Sequence, residues 1–83
     1  MGTEVTINYS QYDNVSVARE ISFELVEDIL LKLEYNKKDE NVSISMLDTI
    51  SANTQLEGRL DYENLNLLIR VLSQLRNQIK ANL

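Results

Sequence analysis

The sequence predicts an α+β fold in which an N-terminal β-hairpin packs with two main helices. Apolar residues alternate with polar ones near the N-terminus, and they recur at three- and four-residue spacing in two later segments. The length of 83 residues predicts a single small domain covering residues 1–83. A small all-α helical bundle is the alternative, in which Ser16 is the N-cap of the first helix.

The N-terminal segment is predicted to form a hairpin from about residue 3 to residue 20. Val5, Ile7 and Tyr9 alternate with polar residues, as in a half-buried strand. Residues 10–14 supply polar turn chemistry, in which Asp13 and Asn14 can close an Asx turn, and an alternating pattern resumes after them.

A first helix is predicted from Ser22 to about Tyr35. Ser22 suits the N-cap position, and Ile21 is placed to form a hydrophobic staple with Val26. The apolar residues that follow the spacing of one helical face are Val26, Ile29, Leu30 and Leu33.

The middle of the chain allows two interpretations. Residues 42–47 alternate as in a third strand, but Ile44, Leu47 and Ile50 also fit one face of a short helix. Residues 51–58 are predicted to be a polar connector, in which Gly58 adopts a positive φ.

The last helix is predicted from about Tyr62 to Ala81, with Asp61 as its N-cap. Its apolar arc covers about half of the circumference, wider than the stripe of a little over 100° that one core contact needs. Either the helix is buried between a sheet and another helix, or part of the arc contacts a second copy in a homodimer. The residues expected at such a self-association surface are Leu67, Val71 and Leu75.

The first predicted helix would also carry an acidic face that includes two large side chains. Such a face is either simply solvated, or it binds a partner protein with a basic surface. The residues of this predicted partner-binding face are Glu24, Glu27, Asp28, Leu31, Glu34 and Tyr35.

Composition argues against catalysis. The sequence contains no Cys and no His, so it lacks a thiol nucleophile, an imidazole base and the usual ligands of transition metals. Neither of its two glycines lies in a phosphate-binding motif. We therefore expect no catalytic, cofactor or metal site, and a protein that is not an enzyme.

Charge and hydropathy limit the kinds of partner that the chain is expected to bind. Thirteen acidic residues against eight basic ones give a net charge of -5, which disfavours direct nucleic-acid binding. No apolar run approaches the roughly 20 residues that span a membrane, and no secretory signal precedes the domain, so a cytoplasmic location is expected.

Two functions are therefore predicted. The first is a small acidic protein-binding module that acts as a non-enzymatic regulator or inhibitor of a partner protein; the composition suits a phage or mobile-element product. The alternative is a structural or assembly protein that self-associates through its C-terminal helix.

Overall fold

The computed structural model describes residues 4–83, which form a five-stranded antiparallel sheet followed by one helix. The spatial order of the strands is their order in the sequence. The elements are β1 (Val5–Tyr12), β2 (Val15–Val26), β3 (Ile29–Asn36), β4 (Asn41–Asp48), β5 (Asn53–Leu60) and α1 (Tyr62–Ala81). Thr3, where the predicted hairpin begins, lies outside the described residues.

The turn between β1 and β2 falls at Asp13 and Asn14, the last two residues of the predicted turn, whereas residues 10–12 belong to β1. Both residues have positive φ, 50° and 63°, the conformation that two-residue hairpin turns require and that Asn and Asp tolerate. The second strand continues to Val26, well beyond the predicted end of the hairpin.

The predicted helix from Ser22 to Tyr35 is wrong. This segment forms the end of β2, a turn at residues 27–28 and most of β3, with Asp28 at φ 65°. The apolar residues on either side of the turn alternate at period two, and the two-residue turn between them produces three- and four-residue spacings by coincidence. The fold is therefore mostly β, neither a two-helix α+β fold nor an all-α bundle, and "helical" applies to α1 alone.

The interpretation of residues 42–47 as a strand is confirmed by β4. The predicted connector at residues 51–58 is wrong, because most of it belongs to β5, and Gly58 lies within this strand without a positive φ. Leu56, Gly58 and Leu60 alternate with polar residues, but a glycine and a high polar content weaken that signal.

The predicted C-terminal helix is confirmed from Tyr62 to Ala81. Asp61 is its N-cap, and the Asp61 carboxylate Oδ1 accepts a hydrogen bond of 2.8 Å from the backbone N–H of Asn64. A single capping residue thus separates β5 from α1, so the helix begins at one edge of the sheet.

The strand register sorts the side chains into an apolar face and a polar face. Residues opposite one another on neighbouring strands form rows that cross the whole sheet. Two apolar rows are Val5–Phe23–Leu31–Met46–Leu56 and Ile7–Ile21–Leu33–Ile44–Gly58; two polar rows are Thr6–Ser22–Lys32–Ser45–Glu57 and Asn8–Glu20–Glu34–Ser43–Arg59.

Candidate interaction surface

A groove of about 540 Å³ runs between α1 and the apolar face of the sheet. Its surface is almost entirely apolar, and among residues 4–83 Arg59 is the one charged residue along it. The side chains that give the groove its character are Leu25, Leu31, Met46, Leu56, Leu68 and Leu72. We refer to it as the α1–sheet groove.

The α1–sheet groove lies where a hydrophobic core would be expected, but the core is open. Among residues 4–83, Leu31 is the one buried hydrophobic side chain, with 9% of its surface exposed. Leu56 on the sheet and Leu72 on the helix remain 47% and 54% exposed. These side chains have hydrophobic surface that the described chain does not cover.

The helix is only partly packed against the sheet. Leu65 and Leu68, in its N-terminal half, are partly buried and line cavities shared with strand residues. In the C-terminal half the apolar stripe continues through Leu75 and Ile79, and Ile79 is 65% exposed. A helix end with an uncovered apolar stripe gains little from its own fold, because most helical stability in proteins comes from packing.

The overall dimensions agree with an open core. The accessible surface is 6895 Å², whereas a folded monomer of 9.6 kDa is expected to expose about 5,100 Å². The radius of gyration is 14.8 Å, against about 12 Å for a compact chain of this length. The chain therefore exposes about 1,800 Å² more than a self-contained domain of its size.

The residues predicted for self-association lie together on α1. Leu67, Val71 and Leu75 are between 41% and 51% exposed and adjoin the stripe that faces the sheet. At 100° per residue, Glu63, Arg70 and Gln74 lie on the opposite, polar side of the helix. The apolar side of α1 is thus wider than the part that the sheet covers.

The residues of the predicted acidic face do not share one surface. Leu31 and Tyr35 are on the apolar side of β3, and Leu31 is the most buried residue described. Glu34 lies in a polar row on the other side, and Glu27 and Asp28 form the β2–β3 turn. The helix that was expected to bring them together is absent, so the sheet distributes these residues over two faces and a turn.

The polar face forms a shallow depression with charges of both signs. It measures about 330 Å³ and includes Lys32, Glu34, Glu57 and Arg59. Lys32 Nζ lies 3.6 Å from a carboxylate oxygen of Glu20. Such alternation of charges is typical of a solvated sheet surface, and no group of three or more His, Cys, Asp or Glu residues within 4–83 is arranged to hold a metal ion.

The groove residues contributed by the strands were not predicted as a site. Leu25, Met46 and Leu56 come from three strands, and their proximity depends on the register. Leu25 reaches the groove from an irregularity in β2, because the pairing with β3 passes from Glu24 to Val26. The alternation of Leu56 and Leu60 with polar residues was the one sequence signal that these β5 residues share an apolar face.

No family model matches the chain, and neither a curated protein nor a solved structure shows significant similarity to it. Within residues 4–83, α1 is not apolar enough to cross a membrane.

Proposed function

We propose that this protein is a non-enzymatic assembly protein that associates with copies of itself through the α1–sheet groove and α1. The observation that carries the proposal is that one chain presents both halves of an interface. It has an uncovered apolar groove and, beside it, a helix whose C-terminal apolar stripe is also uncovered. Two copies related by a two-fold axis would place each helix end against the other copy's groove, a reciprocal contact typical of homodimers.

The exposed area has the magnitude that such an interface needs. Covering the excess of about 1,800 Å² on each of two chains would bury about 3,600 Å² in total. Obligate homodimers bury roughly 2,000–5,000 Å², with a more hydrophobic interface than transient complexes have. The excess surface therefore supports a second copy of this chain as the occupant.

Charge also favours association through this surface. Two chains that each have a net charge of -5 repel one another in general. Within the part of the chain that the structure describes, no acidic residue lines the α1–sheet groove. An approach of two copies through the groove therefore brings no acidic side chains of its lining together.

The test uses Ile79→Asp, with Asn77→Asp as the matched control, because Asn77 lies on the polar side of α1 beside Arg70. Both variants place one carboxylate in the last turns of α1, where both residues are exposed, but only Ile79 belongs to the apolar stripe. Light scattering should give the wild type a mass above that of one 9.6 kDa chain at micromolar concentration. Ile79→Asp should lower this mass, and Asn77→Asp should leave it unchanged.

A wild-type protein with the mass of one chain would overturn the proposal, as would an Ile79→Asp protein that assembles like the wild type. The predicted role as an acidic regulator of a basic partner rests on a helix that does not form.

A further inference from the structure

Strand β1 is the free edge of the sheet. It pairs with β2 on one side, and within residues 4–83 no strand pairs with its other side. The opposite edge is β5, which leads through Asp61 directly into α1. The backbone N–H and C=O groups on the outer side of β1 are therefore available to another strand.

The two edges differ in how they are protected against such pairing. The two polar rows end at β5 in Glu57 and Arg59, and charged side chains on an edge strand oppose the addition of a further strand. At β1 the same rows end in Thr6 and Asn8. All eight residues of β1, VTINYSQY, are uncharged and none is proline, so β1 lacks the usual protection of an edge strand.

The apolar side of β1 is also uncovered. Val5, Ile7 and Tyr9 are 51%, 40% and 62% exposed and extend the apolar face up to the edge. The helix begins at the far edge, after β5, and among the strands it lies closest to β5. An added strand at β1 would cover both the free backbone groups and part of this apolar surface.

We propose that β1 pairs antiparallel with β1 of a second copy, so that two five-stranded sheets become one continuous sheet. The second copy is the best-matched occupant because an antiparallel pair of identical strands is self-complementary about a two-fold axis. An uncharged strand also lets two chains of net charge -5 come together without placing like charges opposite one another. A pairing centred on Ile7 places Ile7 opposite Ile7, and one centred on Asn8 places Ile7 opposite Tyr9.

This contact is separate from the one through the α1–sheet groove. The two-fold axis of an antiparallel edge pair is perpendicular to the sheet, so both apolar faces and the helices that lie over them are on the same side, and each helix starts at β5, the edge away from the pairing. The groove of each copy therefore stays accessible. A chain with both contacts assembles beyond a dimer, to four copies or more.

The test variant is Thr6→Lys combined with Asn8→Lys. Pairing centred on Ile7 places the ammonium group introduced at position 6 opposite the one introduced at position 8 of the second copy. Pairing centred on Asn8 places the two groups introduced at position 8 opposite one another, so both registers are destabilised. The matched control is Thr54→Lys combined with Gln55→Lys, which adds the same charge to exposed positions of β5. Circular dichroism establishes that both proteins are folded before light scattering measures their masses.

The edge contact and the groove contact predict different masses for the variants. With both contacts present, the wild type should have a mass of at least four chains. Thr6→Lys/Asn8→Lys and Ile79→Asp should each reduce it to two, and the three substitutions together should give one chain. If only the edge contact exists, the wild type and Ile79→Asp should both have the mass of two chains. If only the groove contact exists, the wild type and Thr6→Lys/Asn8→Lys should both have the mass of two chains. An unchanged mass for Thr6→Lys/Asn8→Lys overturns the edge pairing.

Hydrogen exchange gives a second measurement that needs no variant. Outward-facing amides of β1 should be protected at high protein concentration and lose at least tenfold in protection on dilution, as the edge pair dissociates. Protection of amides in the central strand β3 should change far less over the same range. Fast, concentration-independent exchange of every second β1 amide would contradict the pairing.

Discussion

The rings of Tyr12 and Tyr35 meet edge to face across β2, with their centroids 6.4 Å apart and their planes at 88°. Lys37 Nζ lies 4.2 Å from the centroid of the Tyr12 ring and 3.7 Å from an oxygen of Asp13. These contacts tie the β1–β2 turn to the end of β3. They add side-chain contacts with the end of β3 to the pairing of β1 with β2.

Replacing Tyr12 by Leu should therefore destabilise the fold. The variant loses an edge-to-face pair, which contributes about 0.5–1.5 kcal/mol, and a cation–π contact of about 0.5–1 kcal/mol. We expect the free energy of unfolding in urea to fall by about 1–2 kcal/mol. Tyr62→Leu is the control, because Tyr62 is 76% exposed and its replacement should change stability by less than about 0.5 kcal/mol. Equal effects of the two variants would contradict the role of the ring pair.

Lys32 should stabilise the polar face mainly by charge. Glu20 and Glu34 lie directly opposite one another on β2 and β3, and Lys32 pairs with Glu20 at 3.6 Å. Because both partners retain some solvent exposure, the pair should contribute less than about 1 kcal/mol. Lys32→Met should lower the free energy of unfolding at low salt and have a smaller effect at 1 M salt, where charges are screened. Lys38→Met, in the exposed β3–β4 turn, is the control; a salt-independent effect of Lys32→Met would exclude a Coulombic role.

The N-cap hydrogen bond of α1 should stabilise the helix. Asp61→Ala removes the acceptor for the Asn64 N–H, so the thermal midpoint should fall by an amount equivalent to about 1 kcal/mol. Asp61→Ser keeps a side-chain oxygen at the N-cap and should retain most of the stability. If the Ser variant melts with the Ala variant, the hydrogen bond is not the source of the stabilisation.

The helix could be predicted from the sequence because two independent signals agree there. Asp61 marks the start, and apolar residues keep helical spacing for 20 residues, too long for coincidence. Between Ser22 and Tyr35 the signals conflict. Apolar residues at the end of β2 and in β3, joined by a two-residue turn, satisfy helical spacing as well as alternation. The register that decides between the two depends on pairing with β1 and β4.

Only the helix residues of the candidate interaction surface could be predicted from the sequence. Leu67, Val71 and Leu75 follow from helical geometry alone, and the structure leaves them exposed. The strand half of the groove was not predictable, since Met46 and Leu56 become neighbours of Leu31 only through sheet register. The predicted acidic face does not form for the same reason. That prediction assumed helical geometry for residues that alternate between the two faces of a sheet.

Leu31 and Leu56 give the last prediction, which measures whether a second copy covers the groove. Both line it, but Leu31 is buried within one chain whereas Leu56 is 47% exposed. Leu31→Ala should cost about 2–4 kcal/mol at any protein concentration, because the cavity forms within the chain. Leu56→Ala should cost about 2 kcal/mol where the protein is assembled and less than about 1 kcal/mol where dilution has separated the chains, because its remaining surface is then already in water. Unfolding free energies at two protein concentrations, on either side of the dissociation midpoint, separate these cases. A cost for Leu56→Ala that is small and equal at both concentrations would mean that no second copy reaches this part of the groove.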